Sequence, residues 1–250
     1  MSSRLAVHTW DAPEAEATLV LLHGITDSGL CWADAVNRWH PTYRVIALDA
    51  LGHGESDRFR PDELAADPIE PMLAETIAVL EQLGSLVILV GHSMGGAVAA
   101  AITHRRPDLV TALVLEDPAW RDLTPDQQRQ RGQDFLGGRG APGENWPASE
   151  IEPWRRSYDQ TDRAFLSLGR ATPSDPWREI VGHLTVPTLL VTGTDGVILA
   201  EERLAEIRGI GNPHVEIAVI PGAGHCVRRD RTDAFHATVD PWIRRHRVAP

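Results

Sequence analysis

Short apolar runs alternate with helix-length segments along most of the chain. The runs are typical of buried parallel strands, and they lie at residues 18–22, 44–48, 86–90, 113–115, 188–191 and 215–220. The segments between them predict helices at 30–39, 69–83, 94–106, 200–208 and 232–247. This alternation predicts an α/β fold with a doubly wound, mostly parallel sheet, whose ligand site lies at the carboxyl ends of its strands.

The alternation is interrupted between residues 118 and 184. Pro, Gly, Arg, Gln and Trp are frequent there and no strand pattern appears. We therefore predict an inserted helical cap at 118–184, on a single α/β core formed by residues 1–117 and 185–250. A chain of 250 residues buries enough surface in one such core that no second independent domain is required.

Composition narrows the class of partner. The chain is 42% hydrophobic, has no apolar run near the roughly 18 residues of a membrane span, and begins without the apolar core of a signal peptide. We therefore expect a cytoplasmic protein. Acidic residues outnumber basic ones by 35 to 24, and the net charge of −11 argues against nucleic acid or an anionic membrane as partner. We expect a small-molecule substrate, and the sequence leaves the oligomeric state open.

A candidate nucleophile lies between a predicted strand and a predicted helix. Gly91-His92-Ser93-Met94-Gly95 matches G-x-S-x-G, the sharp strand-to-helix turn that exposes a serine hydroxyl above a sheet. Gly91 and Gly95 remove side chains that would collide in such a turn. We predict that Ser93 is the nucleophile.

A serine hydroxyl needs a neighbouring base, and His225 is our prediction for it. It lies in Pro221-Gly-Ala-Gly-His225, a loop after the last apolar run and therefore at a strand's carboxyl end. His92 adjoins the serine but points elsewhere on a tight turn, while His23 and His53 belong to turns that they stabilise.

The histidine needs a carboxylate that fixes its tautomer, and the expected chain order is Ser, then Asp or Glu, then His. Asp117 follows the strand after the nucleophile helix, and Asp195 follows a later strand. Both satisfy this order. Glu116 is a weaker candidate because strand alternation directs it to the opposite side of the sheet.

His23-Gly24, the motif around Ser93 and the loop that ends at His225 together resemble the α/β-hydrolase superfamily across nearly the whole chain. In most members the acid follows the later strand, commonly three residues after a glycine, a position held here by Gly196. A minority arrangement, known in haloalkane dehalogenases and zearalenone-type lactonases, places the acid about 24 residues beyond the nucleophile, and here 117 − 93 = 24. The resemblance therefore favours Asp117, with Asp195 as the alternative.

The resemblance also implies an oxyanion hole formed by the backbone amides of Ile25 and Met94. The predicted cap carries four tryptophans that suit either a hydrophobic substrate or the cap's own core: Trp120, Trp146, Trp154 and Trp177. We name Trp120 and Trp154 as candidate substrate contacts. Arg121, Arg155 and Arg156 could pair with a substrate carboxylate, although a solvated cap surface explains them more simply.

These features predict a serine hydrolase that uses no cofactor and no metal and cleaves a carboxylic ester or lactone through an acyl-enzyme. The same residues serve cleavage of an amide, or of a carbon–carbon bond next to a carbonyl. A small-molecule receptor with slow turnover is an alternative of another class. Dehalogenases and epoxide hydrolases are disfavoured because their nucleophile is an aspartate. Cys31 and Cys226 lie far apart and predict free thiols rather than a disulfide or a metal site.

Overall fold

A seven-stranded sheet forms the centre of the computed structural model, which describes residues 3–247. Its order is β1-β3-β2-β4-β5-β6-β7, and β1 alone runs antiparallel. The strands are β1 Val7–Trp10, β2 Thr18–Leu22, β3 Arg44–Leu48, β4 Val87–His92, β5 Val110–Glu116, β6 Thr188–Thr192 and β7 Val215–Val219. The predicted doubly wound, mostly parallel α/β sheet is confirmed.

Strand β1 was not predicted. Its sequence, Val-His-Thr-Trp, contains no continuous apolar run, and its residues are alternately exposed and half-buried. Such a pattern is typical of an edge strand with one face towards solvent, and β1 pairs with β3 at the edge of the sheet.

Helices cover both faces of the sheet. The core helices are α1 Ala33–Trp39, α2 Pro61–Ala65, α3 Ile69–Leu83, α4 Met94–Arg105, α9 Glu201–Ile210, α10 Val227–Asp230 and α11 Thr232–His246. Alternate residues of β4 face opposite sides: Leu89 packs with α3 and α4, while Val90 packs with α1 and α11. A 3-10 turn at Gly29–Trp32 forms the first part of the helix predicted at 30–39.

Four helices lie between β5 and β6, in the range predicted to form the cap. They are α5 Pro125–Leu136, α6 Ala148–Asp159, α7 Arg163–Ser167 and α8 Trp177–His183. Trp177, Ile180 and Val181 of α8 pack into the same core cluster as α4. The segment between β5 and β6 is therefore helical, and α8 packs on the same core as α4; a separate cap at 118–184 stays a prediction.

Within residues 3–247, the structure contains no helix with the length and apolar character needed to cross a membrane.

Candidate active site

Ser93 occupies the tight turn between β4 and α4. Its backbone has φ 53° and ψ −114°, a conformation that residues other than glycine rarely adopt. The Ser93 amide donates to the carbonyl oxygen of Glu116 at 3.0 Å, and its own carbonyl oxygen accepts from the Ala119 amide at 2.9 Å. Both bonds reach β5 or the segment after it, so the neighbouring strand stabilises the strained turn.

Two glycines make this turn possible. A Cβ atom at Gly91 would overlap the carbonyl group of Gly95, and one at Gly95 would overlap the carbonyl groups of Leu22 and His23. Because these obstacles are backbone atoms, they cannot rotate away. The collisions inferred from the motif would therefore occur if either glycine carried a side chain.

The structure brings Ser93, His225 and Asp117 together. The Nε2 atom of His225 lies 2.9 Å from Ser93 Oγ, and its Nδ1 atom lies 2.6 Å from Asp117 Oδ2. Asp117 is fully buried, whereas the His225 side chain is 34% exposed. This exposure leaves the histidine within reach of a bound molecule.

Asp117 is held by four groups in all. Besides His225, its carboxylate accepts from the Thr192 hydroxyl at 2.9 Å and from the amides of Ile198 and Leu199 at 2.9 and 3.0 Å. Burial acts to raise the pKa of Asp117, but the hydrogen bond and charge of His225, with the two amides, outweigh it and lower the pKa. The carboxylate is therefore ionised and fixed in orientation.

The other two candidate acids lie elsewhere. Asp195 is exposed and accepts from the Thr194 hydroxyl at 2.9 Å. Glu116 faces the opposite side of the sheet, where it accepts from the Arg228 amide and guanidinium, each at 2.8 Å. Among the described residues, neither carboxylate contacts His225.

The neighbouring histidines are part of the framework around the site. His92 Nε2 lies 3.1 Å from the His225 carbonyl oxygen, and burial, followed by the charge of His225, lowers the pKa of His92 well below its usual value. His92 is therefore a neutral donor that positions the His225 loop, a contact that the G-x-S-x-G pattern does not indicate. His23 accepts from the Ala50 amide at 3.0 Å, which ties two turns together.

The loop after β2 carries Ile25, one of the two predicted oxyanion donors. Within residues 3–247, neither the Ile25 amide nor the Met94 amide donates to another protein atom. A Cβ atom at Gly24 would lie 3.3 Å from the Ser93 Cβ atom. Thr26, in the same loop, has φ 69°. Two free amides near the nucleophile are what an oxyanion hole requires, and the assignment of Ile25 and Met94 stays a prediction.

The sequence did not predict the contacts that Arg139 and Ser157, which lie between β5 and β6, make with the loop after β2. Arg139 donates to the Thr26 carbonyl oxygen, to Thr26 Oγ1 at 2.7 Å and to the Asp27 carboxylate at 2.7 Å. The Ser157 hydroxyl of α6 also donates to the Thr26 carbonyl oxygen, at 2.9 Å. No sequence spacing links residues 26, 139 and 157, so only the folded chain reveals this arrangement.

Both tryptophans named as substrate contacts are largely buried. Trp120 is 3% exposed and stacks on Trp177 with ring centroids 5.7 Å apart. Trp154 is 9% exposed and packs edge-on against Trp146, with the Arg139 guanidinium 4.8 Å from its ring centre. Their packing roles are therefore visible, while contact with substrate stays a prediction.

Cys31 and Cys226 are free thiols, and burial raises the pKa of Cys226 to about 12. Across the described part of the chain, no group of three or more His, Cys, Asp or Glu side chains is arranged to hold a metal ion.

The chain belongs to the alpha/beta hydrolase family, whose model matches residues 19–238. A relative from Acinetobacter baylyi, (E)-2-((N-methylformamido)methylene)succinate hydrolase, is 26% identical over 97% of this chain and 96% of its own. Lipase LipV of Mycobacterium tuberculosis is 38% identical, but the match covers 43% of this chain and 39% of the lipase.

Solved structures share the fold. The enol-lactonase from Burkholderia xenovorans superposes with a TM-score of 0.77 at 21% sequence identity, covering 96% of both chains. A likeness at this identity establishes the architecture and leaves the substrate open.

Proposed function

We propose that this hydrolase cleaves a carboxylic ester or lactone through an acyl-enzyme formed on Ser93. The observation that carries the proposal is the continuous chain of hydrogen bonds from Ser93 Oγ through His225 to Asp117, with distances of 2.9 and 2.6 Å. A serine, an imidazole and a buried carboxylate in this order form the arrangement that activates a serine hydroxyl.

In the proposed reaction, Ser93 Oγ attacks the substrate carbonyl carbon while His225 Nε2 takes the hydroxyl proton. Asp117 stabilises the imidazolium that forms. The amides of Ile25 and Met94 stabilise the negative oxygen of the tetrahedral intermediate. His225 then protonates the leaving oxygen, and water, activated by the same histidine, attacks the acyl-enzyme to release the acid and regenerate Ser93.

The insertion at 118–184 is proposed to act as the cap over this site, with Trp120 and Trp154 among the side chains nearest to the substrate. Arg139 supports this role because it connects the insertion to the loop that carries Ile25. The name of a lipase among the similar proteins agrees with an oxygen-ester substrate.

Covalent labelling tests the nucleophile directly. We expect an aryl phosphonofluoridate to add one phosphonyl group per chain at Ser93, detected by mass spectrometry of intact protein and peptides. The Ser93→Ala protein should gain none. Folded wild-type protein that resists labelling would contradict the proposed mechanism.

A panel of esters, lactones and amides of matched size tests the bond that is cleaved. Multiple turnover of the esters or lactones, with slower amide cleavage, is the expected result. The amide alternative is kept because the Acinetobacter baylyi relative is named for a substrate with a formamido group. Faster turnover of amides would replace the ester proposal.

A further inference from the structure

A cavity of about 160 Å³ lies where the segment after β5 meets α5 and the segment after α7. Ala119 forms part of its wall, and the Ala119 amide donates to the carbonyl oxygen of Ser93 at 2.9 Å. Three guanidinium groups line the same cavity, those of Arg121, Arg131 and Arg170. The cavity is therefore lined by three positive side chains and is linked through Ala119 to the backbone of Ser93.

In the described part of the chain, one of these three arginines forms an ion pair. Arg170 donates to the Asp67 carboxylate at 2.6 Å. Within residues 3–247, the side chains of Arg121 and Arg131 form no ion pair and no hydrogen bond; the Arg131 guanidinium lies 4.7 Å from the ring centre of Phe135, which holds it in place. Arg121 is exposed, while Arg131 is half-buried.

The two unpaired groups repel one another. Burial, followed by the charge of Arg121, lowers the pKa of Arg131 to about 10. Burial also lowers the pKa of Arg121, against the attraction of Asp117. Both groups remain positive at neutral pH, in a chain whose net charge is −11. An anion between them would relieve the repulsion and accept from guanidinium groups that pair with no other side chain within residues 3–247.

We infer that the substrate carries a carboxylate that binds between Arg121 and Arg131 while its reacting carbonyl lies at Ser93. This inference rests on the proposed function and specifies its substrate as a short acidic ester or lactone. Of the three arginines considered from the sequence, only Arg121 lines this cavity; Arg155 and Arg156 are exposed residues of α6.

Paired esters test the inference. Mono-4-nitrophenyl glutarate is compared with its methyl ester, and 4-acetoxybenzoate with methyl 4-acetoxybenzoate, so that the charge lies on the acyl side or on the leaving group. We expect kcat/KM of the wild-type protein to favour the charged member of at least one pair by about tenfold or more, as charged hydrogen bonds allow. In Arg121→Gln and Arg131→Gln, this preference should fall by a similar factor.

Arg129→Gln is the matched control, since Arg129 lies on the same helix as Arg131 but is exposed and paired with Asp126. It should retain the preference of the wild-type protein. Equal kcat/KM for charged and neutral esters in the wild-type protein, or a preference that survives in both Arg121→Gln and Arg131→Gln, would overturn the inference.

Binding of glutarate to the Ser93→Ala protein, measured by calorimetry, separates this inference from the proposed function. We expect Arg121→Gln and Arg131→Gln in that background to weaken binding by about tenfold or more. Arginine-dependent binding without turnover of any ester supports the anion site and contradicts the hydrolase proposal. Turnover of neutral esters without arginine-dependent glutarate binding leaves the hydrolase proposal standing and refutes the anion site.

Discussion

The backbone at Asp117 adopts φ 38°, directly after β5 ends at Glu116. Its amide donates to the Val191 carbonyl oxygen at 2.8 Å, which anchors the turn to β6. Successive residues of a strand face opposite sides, so Glu116 points to Arg228 and Asp117 to His225. The sequence favoured Asp117 through the spacing of a minority arrangement, and the geometry supports that choice because Asp195 contacts Thr194 instead.

Replacing each aspartate separately tests the proposed acid. We expect Asp117→Asn to lower kcat by about 10³–10⁴-fold, because asparagine cannot stabilise the imidazolium and favours the wrong tautomer of His225. Asp195→Asn serves as control and should keep wild-type turnover of the same ester. An active Asp117→Asn protein, or an inactive Asp195→Asn protein, would reverse the assignment.

Gly95 and Gly209 provide a second comparison between single residues. Both lie in helices, where alanine is favoured over glycine by about 1 kcal/mol. A Cβ atom meets backbone carbonyl groups at Gly95 but open space at Gly209. We expect Gly209→Ala to raise the free energy of unfolding by up to about 1 kcal/mol, and Gly95→Ala to lower it by about 1–3 kcal/mol, measured by urea denaturation. Stabilisation by both changes would show that the turn at Ser93 tolerates a methyl group.

Among the helices and strands, those with a regular apolar pattern were predicted from the sequence. Helix α3 occupies the predicted range 69–83, buries Ile69, Met72 and Leu80 on one face, and ends at Gly84 with φ 65°. Helix α5 buries only Gly132, so its polar sequence carries no such signal. Arg121, Arg131 and Arg170, which line the cavity, lie in the same segment between β5 and β6, where the sequence shows no strand pattern. Tertiary packing brings them together, and no local sequence pattern predicts this.

The connection between the insertion and the β2 loop leads to a prediction about Arg139. Its side chain fixes Thr26, the residue after the proposed oxyanion donor Ile25. Arg139→Gln should let this loop move and lower kcat by up to about 10²-fold, because catalytic donors are sensitive to small displacements. Arg156→Gln, an exposed change on α6, is the control. Equal kcat in both variants would show that the β2 loop holds its geometry without Arg139.

Across the whole molecule, the fold encloses several histidines that must stay neutral. His53 is fully buried, 5.1 Å from the ring of His23 and 5.5 Å from that of Phe165. Burial lowers the pKa of His53 to about 3, against its hydrogen bond to the Leu51 carbonyl and the attraction of Asp49. An unfolded chain restores an ordinary histidine pKa near 6.5. Between these values the native state binds fewer protons than the unfolded state, so stability rises with pH.

We therefore expect His53 to remove about 2 kcal/mol from the free energy of unfolding between pH 7 and pH 5. His8, whose pKa is raised chiefly by its hydrogen bond to Asp49, acts in the opposite direction, so the contribution of His53 has to be isolated by comparing variants.

His53→Phe keeps the ring volume and removes the titration. Its lost hydrogen bond to the Leu51 carbonyl costs the same at both pH values. Urea denaturation gives the free energy of unfolding at pH 7 and at pH 5. The difference between the two values should be smaller by about 2 kcal/mol in His53→Phe than in the wild-type protein. His214→Phe, at an exposed position, is the control and should show the wild-type difference. An unaltered pH dependence in His53→Phe would mean that water or local opening admits a proton to this part of the core.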